Sequence, residues 1–257
     1  MLSNIYLNVY FTPSSIIAHE TSTNDIYIVI DVIRATTTFA VVFDQGAARV
    51  LVAETVEQAR EAAQKHPGRL LCGERNVQPL PGFDYGNSPV QFSQLNLAGR
   101  ELVFTTTNGT RAFYACPEHS MRLAGSLYNA RAVSAQALAL ARQHNSNISI
   151  VCSGEYGYFA LDDAICAGYL ALELQRQYKE HPHVTPLQVD ESVHAAITLY
   201  SAYPVPKLIE HSQSAQSVII AGLPEDVTFC LQKNMGTSVP AVVGKDMGTG
   251  LLLLEGN

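Results

Sequence analysis

The run Ile26–Ile33, IYIVIDVI, leaves this chain few ways to fold. It is almost continuously apolar and β-branched, as a strand buried on both faces requires. Further short apolar runs occur at Ile5–Phe11, Arg49–Val52, Arg69–Cys72, Glu101–Phe104, Met121–Ala124 and Ile148–Cys152. Helical patterns separate many of them: Thr55–Lys65 with Thr55 as N-cap, Arg111–Ala115, Ala130–Gln143, and a long helix from Leu161. Strand–helix alternation of this kind predicts an α/β fold, three layers α/β/α, with a mainly parallel or mixed sheet. The last third reads less sharply, as helices over 189–200 and 215–221 and short strands over 240–243 and 251–254.

Composition narrows the class. Only 15% of the 257 residues are charged, against about 25% in an average domain, so much of the surface is buried. The expectation is one α/β domain over 1–257, with Pro182, Pro204 and Pro206 marking a weak lobe boundary near 182–206. Sixteen basic residues against 23 acidic, net −7, argue against a nucleic-acid face. The start MLSNIYLNVYF lacks the basic opening and long apolar run of a secretion signal, and no apolar run is long enough to span a membrane. Five scattered cysteines with no CxxC pair argue against a zinc or disulfide framework. A cytoplasmic protein is expected, with Cys166 and Cys230 buried as small apolar residues. A homodimer is compatible with the sequence.

Four polar clusters directly follow apolar runs: Asp31–Thr38, Gly73–Pro89, Thr105–Thr110 and Ser153–Asp163. In open α/β sheets ligands bind in the crevice outside the carboxyl ends of the strands, so the four are expected to converge there. The second, inside CGERNVQPLPGFDYGNSP (72–89), is rich in Gly and Pro and reads as a rigid loop carrying Glu74, Arg75 and Asp84. Asp31 ends a buried strand, where a charge needs a partner. With Glu74, Asp84, Glu155, Asp162 and Asp163 it forms a carboxylate set that repels itself unless a cation sits within it. Hard oxygen ligands without His or Cys favour Mg²⁺. Against this, Asp162 and Asp163 also suit a helix start, and Glu155 suits a solvated loop. Arg34, Arg75 and Arg111 can hold oxyanions in two-point fashion or form internal ion pairs. Thr36–Thr38 and Thr105–Thr110 offer hydroxyls and N–H groups as an anion cradle or as ordinary helix caps.

Divalent metal, guanidiniums and an anion cradle together point to phosphoester chemistry. Familiar phosphatase signatures are absent. Asp31 is followed by Val32 and Ile33, not by the DxD of a phosphoaspartate enzyme. The position six after Cys152 is Tyr158 and six after Cys72 is Gln78, where a cysteine phosphatase needs Arg. No Walker lysine loop occurs. Water activated by a divalent cation, with a carboxylate base, is the simplest remaining nucleophile. Cys72 and Cys152 are read as strand-end packing residues.

DVIRATTT (31–38), CGER (72–75), GFDYGNSP (82–89), TTTNGT (105–110) and CSG…LDDAICAG (152–168) resemble the 2-phosphosulfolactate phosphatases. The resemblance extends over nearly the whole chain and includes the weaker EDVTFC segment around Asp226. It implies an α/β/α fold, a Mg²⁺ requirement, and hydrolysis of 2-phospho-3-sulfolactate to 3-sulfolactate and phosphate, a step of coenzyme M biosynthesis in some organisms. On that expectation Asp31, Glu74 and Asp84 are the catalytic acids, with Asp31, Glu74, Asp162 and Asp163 as metal ligands. Arg34, Arg75, Thr107, Asn108, Gly109, Thr110 and Arg111 would hold the small anionic substrate. Two positions depart from the family pattern: Asn76-Val77 stands where Gly often follows the GER motif, and Asp162 stands where Glu is usual.

Overall fold

A computed structural model describes residues 5–16, 24–180 and 187–256. Eleven strands among these residues form one mixed sheet. In chain order they are β1 Tyr6–Tyr10, β2 Ile26–Ile30, β3 Arg49–Val52, β4 Leu70–Arg75, β5 Gln78–Pro79, β6 Glu101–Thr105, β7 Met121–Gly125, β8 Ile148–Cys152, β9 Gln188–Val189, β10 Ala241–Lys245 and β11 Leu252–Glu255. Across the sheet the order is β5-β4-β6-β3-β11-β10-β7-β2-β8-β1-β9. The helices are α1 Ala35–Asp44, α2 Val56–Lys65, α3 Pro89–Phe92, α4 Gly109–Ala115, α5 Ala130–His144, α6 Leu161–Lys179, α7 Glu191–Ala202, α8 Val205–His211, α9 Gln213–Ile220 and α10 Pro224–Cys230. None is long and apolar enough to cross a membrane. Pro182 lies outside the described residues.

Local chemistry accounts for the element ends. All five residues of β2 are buried. Thr55 and Gln58 form a reciprocal capping box at the start of α2, whose last turn carries Lys65. Asn145 ends α5 at φ 53°, a left-handed cap that Asn tolerates. α1 begins at Ala35, so the three threonines sit in its first turn rather than ahead of it. All three are buried, and the Thr36 and Thr37 hydroxyls donate to the carbonyls of Asp31 and Val32. Three short helices, α3, α8 and α10, and the two-residue strands β5 and β9 were not legible. β4 also runs three residues further than its apolar run.

Two parallel blocks, β4-β6-β3 and β7-β2-β8-β1-β9, flank the β10–β11 hairpin. β11 is antiparallel to β3, β10 to β11, and β7 to β10. Three reversals leave the blocks running in opposite senses, so one flat edge does not gather the four clusters. Twist does. At about 20–25° per strand, the five steps from β6 to β2 turn one block about 100–125° against the other and undo much of the reversal. The core records this wrapping. Tyr27 and Val29 of β2 share a buried cluster with Val50 and Val52 of β3, Leu102 and Phe104 of β6, and Phe39, Val42 and Phe43 of α1. The opposite face of β1, β2 and β8 packs against α5 and α6, and α2 covers Leu51, Leu71 and Val103.

Candidate active site

The carboxyl ends of β2, β4, β6 and β8 meet at a cavity of about 480 Å³. Asp31, Ile33 and Arg34 enter it from the β2–α1 connection, and Glu74 from the end of β4. Thr107 and Asn108 come from the loop after β6, and Glu155 and Tyr156 from the loop after β8. Residues spread over more than half the chain therefore share one space.

Asp31 and Glu74 are each held by donors. The Ala35 N–H donates to Asp31 Oδ1 at 3.2 Å, and the Gly109 N–H also bonds this carboxylate. Glu74 accepts from the Thr107 N–H at 2.8 Å, the Thr107 hydroxyl at 3.0 Å and the Val77 N–H at 2.9 Å. The TTTNGT loop thus differs from the free anion cradle expected of it. The Thr107 and Gly109 amides are spent on the two carboxylates, Thr110 and Thr106 bond each other, and Asn108 Oδ1 accepts from the Tyr156 N–H. The loop positions acids.

Gly109 is required by this packing. A Cβ there would stand 2.6 Å from Asp31 Oδ2 and 2.7 Å from the Ala35 methyl, closer than atoms of these kinds approach. Gly109→Ala is expected to displace Asp31 and lower kcat about a hundredfold while the protein still folds. Steady-state phosphate release and a thermal melt would check this.

The acids at the cavity and behind it are crowded. Burial, then the charges of Glu74 and Asp162, push Asp31 up to about 7 against the bond from Ala35. Burial pushes Asp162 up to about 6, with Glu155 adding repulsion and hydrogen bonds opposing. Asp163 is raised well above the ordinary carboxylate range by burial and by Asp162 and Asp31. Each native pKa exceeds its unfolded value, so the native state binds more protons over this range and stability falls as pH rises. In EDTA, the melting temperature is expected to drop by several degrees between pH 5 and pH 8. A melting temperature that rises over this interval would contradict the burial of these acids.

Not every expected residue reaches the cavity. Asp163 is committed to the backbone, accepting from the Val32 N–H at 2.9 Å and the Gly154 N–H at 3.1 Å. Asp162 lies behind Ser214, whose hydroxyl is 3.3 Å from it and 3.1 Å from Glu155. Asp84 accepts from the Leu71 N–H at 2.8 Å and fastens its loop to β4; it is not among the cavity-lining residues. Arg75, next to Glu74 on β4, faces away from the cavity, as strand alternation demands. It donates to Thr105 Oγ1 at 2.9 Å. Arg111 is exposed on α4 and Thr110 is buried beneath it, and neither lines the cavity. Arg34 does, but its guanidinium is engaged by Asp226 at 2.8 Å and by the Val77 carbonyl at 2.9 Å.

Three contributors lie outside the expected site residues. Asp226, buried at the start of α10, anchors Arg34 and accepts from the Ser88 hydroxyl at 2.6 Å. The EDVTFC segment of the resemblance contains it, but an acid in a first helical turn looks like an ordinary dipole partner, and its bond to Arg34 is not legible in the sequence. α9 supplies a whole wall through Ser214, Ser217, Val218 and Ala221. Their i, i+3, i+4, i+7 spacing is one helix face, a signal that was present in the sequence. Val77 adopts φ 70° beside Asn76 at φ 51°, in a two-residue turn joining β4 to β5. Both positions require positive φ, which explains why Gly suits this place.

Among the described residues no three His, Cys, Asp or Glu side chains form a metal cage. Mg²⁺ does not require one, since it commonly takes one or two carboxylates together with water and phosphate oxygens. Asp31 and Glu74 meet that requirement, and their mutual repulsion is what a cation relieves.

The sequence matches the family model described as 2-phosphosulpholactate phosphatase over residues 10–245. A relative from Deinococcus radiodurans, named probable 2-phosphosulfolactate phosphatase, is 37% identical over 231 residues, covering 89% of this chain and 92% of its own. Relatives of the same name from Thermus thermophilus and Thermotoga maritima are 35% and 32% identical. These cover 86% and 84% of this chain, and 89% and 88% of their own. With the five motifs in order and their residues meeting at one cavity, this chain belongs to the 2-phosphosulfolactate phosphatase family.

Proposed function

We propose that this protein is a Mg²⁺-dependent phosphatase that hydrolyses 2-phospho-3-sulfolactate to 3-sulfolactate and phosphate. The observation that carries the reading is the placement of two donor-held carboxylates, Asp31 and Glu74, at the junction of four strand ends in a chain of this family. Asp31 and Glu74 would hold the cation, which when bound supplies charge neutralisation and polarisation of a phosphoryl oxygen. Asp31, accessible from the cavity, accepts the proton of the attacking water. Thr107 and the Val77 amide keep Glu74 oriented, and the Asn108 amide group and Arg34 face the phosphoryl oxygens. The aligned groups contribute through positioning and electrostatics, the terms that dominate phosphoryl transfer.

Phosphate release from 2-phosphosulfolactate is expected with Mg²⁺ and is expected to stop in excess EDTA, returning when Mg²⁺ is restored. Release that ignores EDTA contradicts the metal. Saturable binding of the ester without release would make the protein a binder of small anions instead.

A further inference from the structure

The proposed substrate carries a sulfonate and a carboxylate beside its phosphate, so the cavity must seat more than one acid group. Asn76, Gln78 and Asn87 add neutral carboxamides to its lining. Asn76 and Gln78 are exposed, where water competes for them, and Asn76 Oδ1 already accepts from the Tyr156 hydroxyl at 3.2 Å. Asn87 differs. It is 4% exposed, and its Oδ1 is buried with no hydrogen-bond partner among the described residues. Its backbone is nonetheless fixed. The carbonyl accepts from the Thr38 hydroxyl at 3.3 Å, and Ser88 beside it caps α3 and donates to Asp226. Buried polar groups are nearly always paired, and one left unpaired costs stability. An amide oxygen that a rigid backbone holds unpaired at the cavity wall calls for a ligand. No bond to Oδ1 fixes which way the amide faces, so it can turn its two N–H donors to an anion. A sulfonate suits such a seat. It is a weak base with its charge spread over three oxygens, and neutral donors hold it through charge-assisted hydrogen bonds without a countercharge.

We infer that Asn87 seats the sulfonate of the substrate and so selects sulfonated esters over their unsulfonated analogues. This rests on the phosphatase reading, with the phosphate at Asp31 and Glu74. A site built to bond a substrate group rejects the analogue that lacks it, because the buried polar group then stays unpaired. The test is kcat/KM with Mg²⁺ for 2-phosphosulfolactate and for 2-phospholactate, which keeps the phosphate and carboxylate but ends in a methyl group. A hydrogen bond to a charged group is worth about 10- to 150-fold, so the wild type is expected to prefer the sulfonated ester at least about tenfold. Asn87→Ala is expected to remove most of that preference, chiefly by raising KM for the sulfonated ester. Asn87→Asp, of the same shape, is expected to lower the ratio further, because a carboxylate repels the sulfonate. A wild type that turns over both esters equally overturns the inference alone. So does a preference that Asn87→Ala and Asn87→Asp leave unchanged, which puts the sulfonate elsewhere. Variants that lose both esters in equal proportion make Asn87 a structural residue and overturn it as well. No phosphate release from 2-phosphosulfolactate by the wild type overturns the phosphatase reading and the inference with it.

Discussion

Asp31→Asn is expected to lower kcat for phosphate release about a thousandfold, and in EDTA to raise the melting temperature. The two effects have one cause. The amide keeps the shape and its oxygen can still accept from Ala35, so the fold is preserved. It cannot accept a proton or bind a cation as an anion, and loss of a positioned general base alone costs about 10²–10⁴-fold. It also removes the charge that faces Glu74 and Asp162, so the metal-free protein is relieved of a repulsion it otherwise carries at neutral pH. Phosphate-release kinetics and melts at pH 8 with and without Mg²⁺ would check both parts. A fully active variant would remove Asp31 from the mechanism, and an unchanged or lowered melting temperature in EDTA would contradict the account of the buried acids.

Asp226→Ala is expected to have the largest effect on stability. It strips the partner from a guanidinium whose side chain is 3% exposed, where the carboxylate itself is 2% exposed, and it leaves Ser88 without its acceptor. Breaking a buried pair by removing one member costs about 3–5 kcal/mol, enough to lower the melting temperature of a chain this size by about 10 °C. The double variant Arg34→Met with Asp226→Leu is expected to recover most of that loss, because neither charge is then stranded. It is not expected to recover activity, since Arg34 lines the cavity. A single variant as stable as the wild type, measured by chemical denaturation, would contradict the importance of the pair.

The contrast between these two acids shows how far the sequence could be read. Asp31 announces itself because it ends a continuous apolar run, and a charge at that place has few structural reasons to exist. Asp226 sits in the first turn of a short helix, where acids are ordinary, and only the tertiary contact with Arg34 reveals its work. The alternation of strands and helices was legible because buried parallel strands are written as uninterrupted apolar runs. The insertion of β10 and β11 between β3 and β7 was not, because that pairing is made across most of the chain and leaves no local trace. Glu74 and Arg75 both read as loop residues in a Gly- and Pro-rich stretch, yet they belong to a strand, where neighbours in sequence point to opposite faces. That single fact of geometry sends Glu74 into the cavity and Arg75 away from it. The Thr107 and Gly109 amides were identified correctly as donors; what they hold is protein carboxylate rather than substrate, which no donor inventory could distinguish.

If the ends of β2, β4, β6 and β8 build one catalytic cavity around Asp31 and Glu74, a crystal structure of the protein with Mg²⁺ and a phosphate mimic such as vanadate will show the cation bound to Asp31 or Glu74, with the mimic beside it and within reach of Asn108. A mimic bound with its cation elsewhere on the molecule, leaving this cavity to water, would contradict this arrangement.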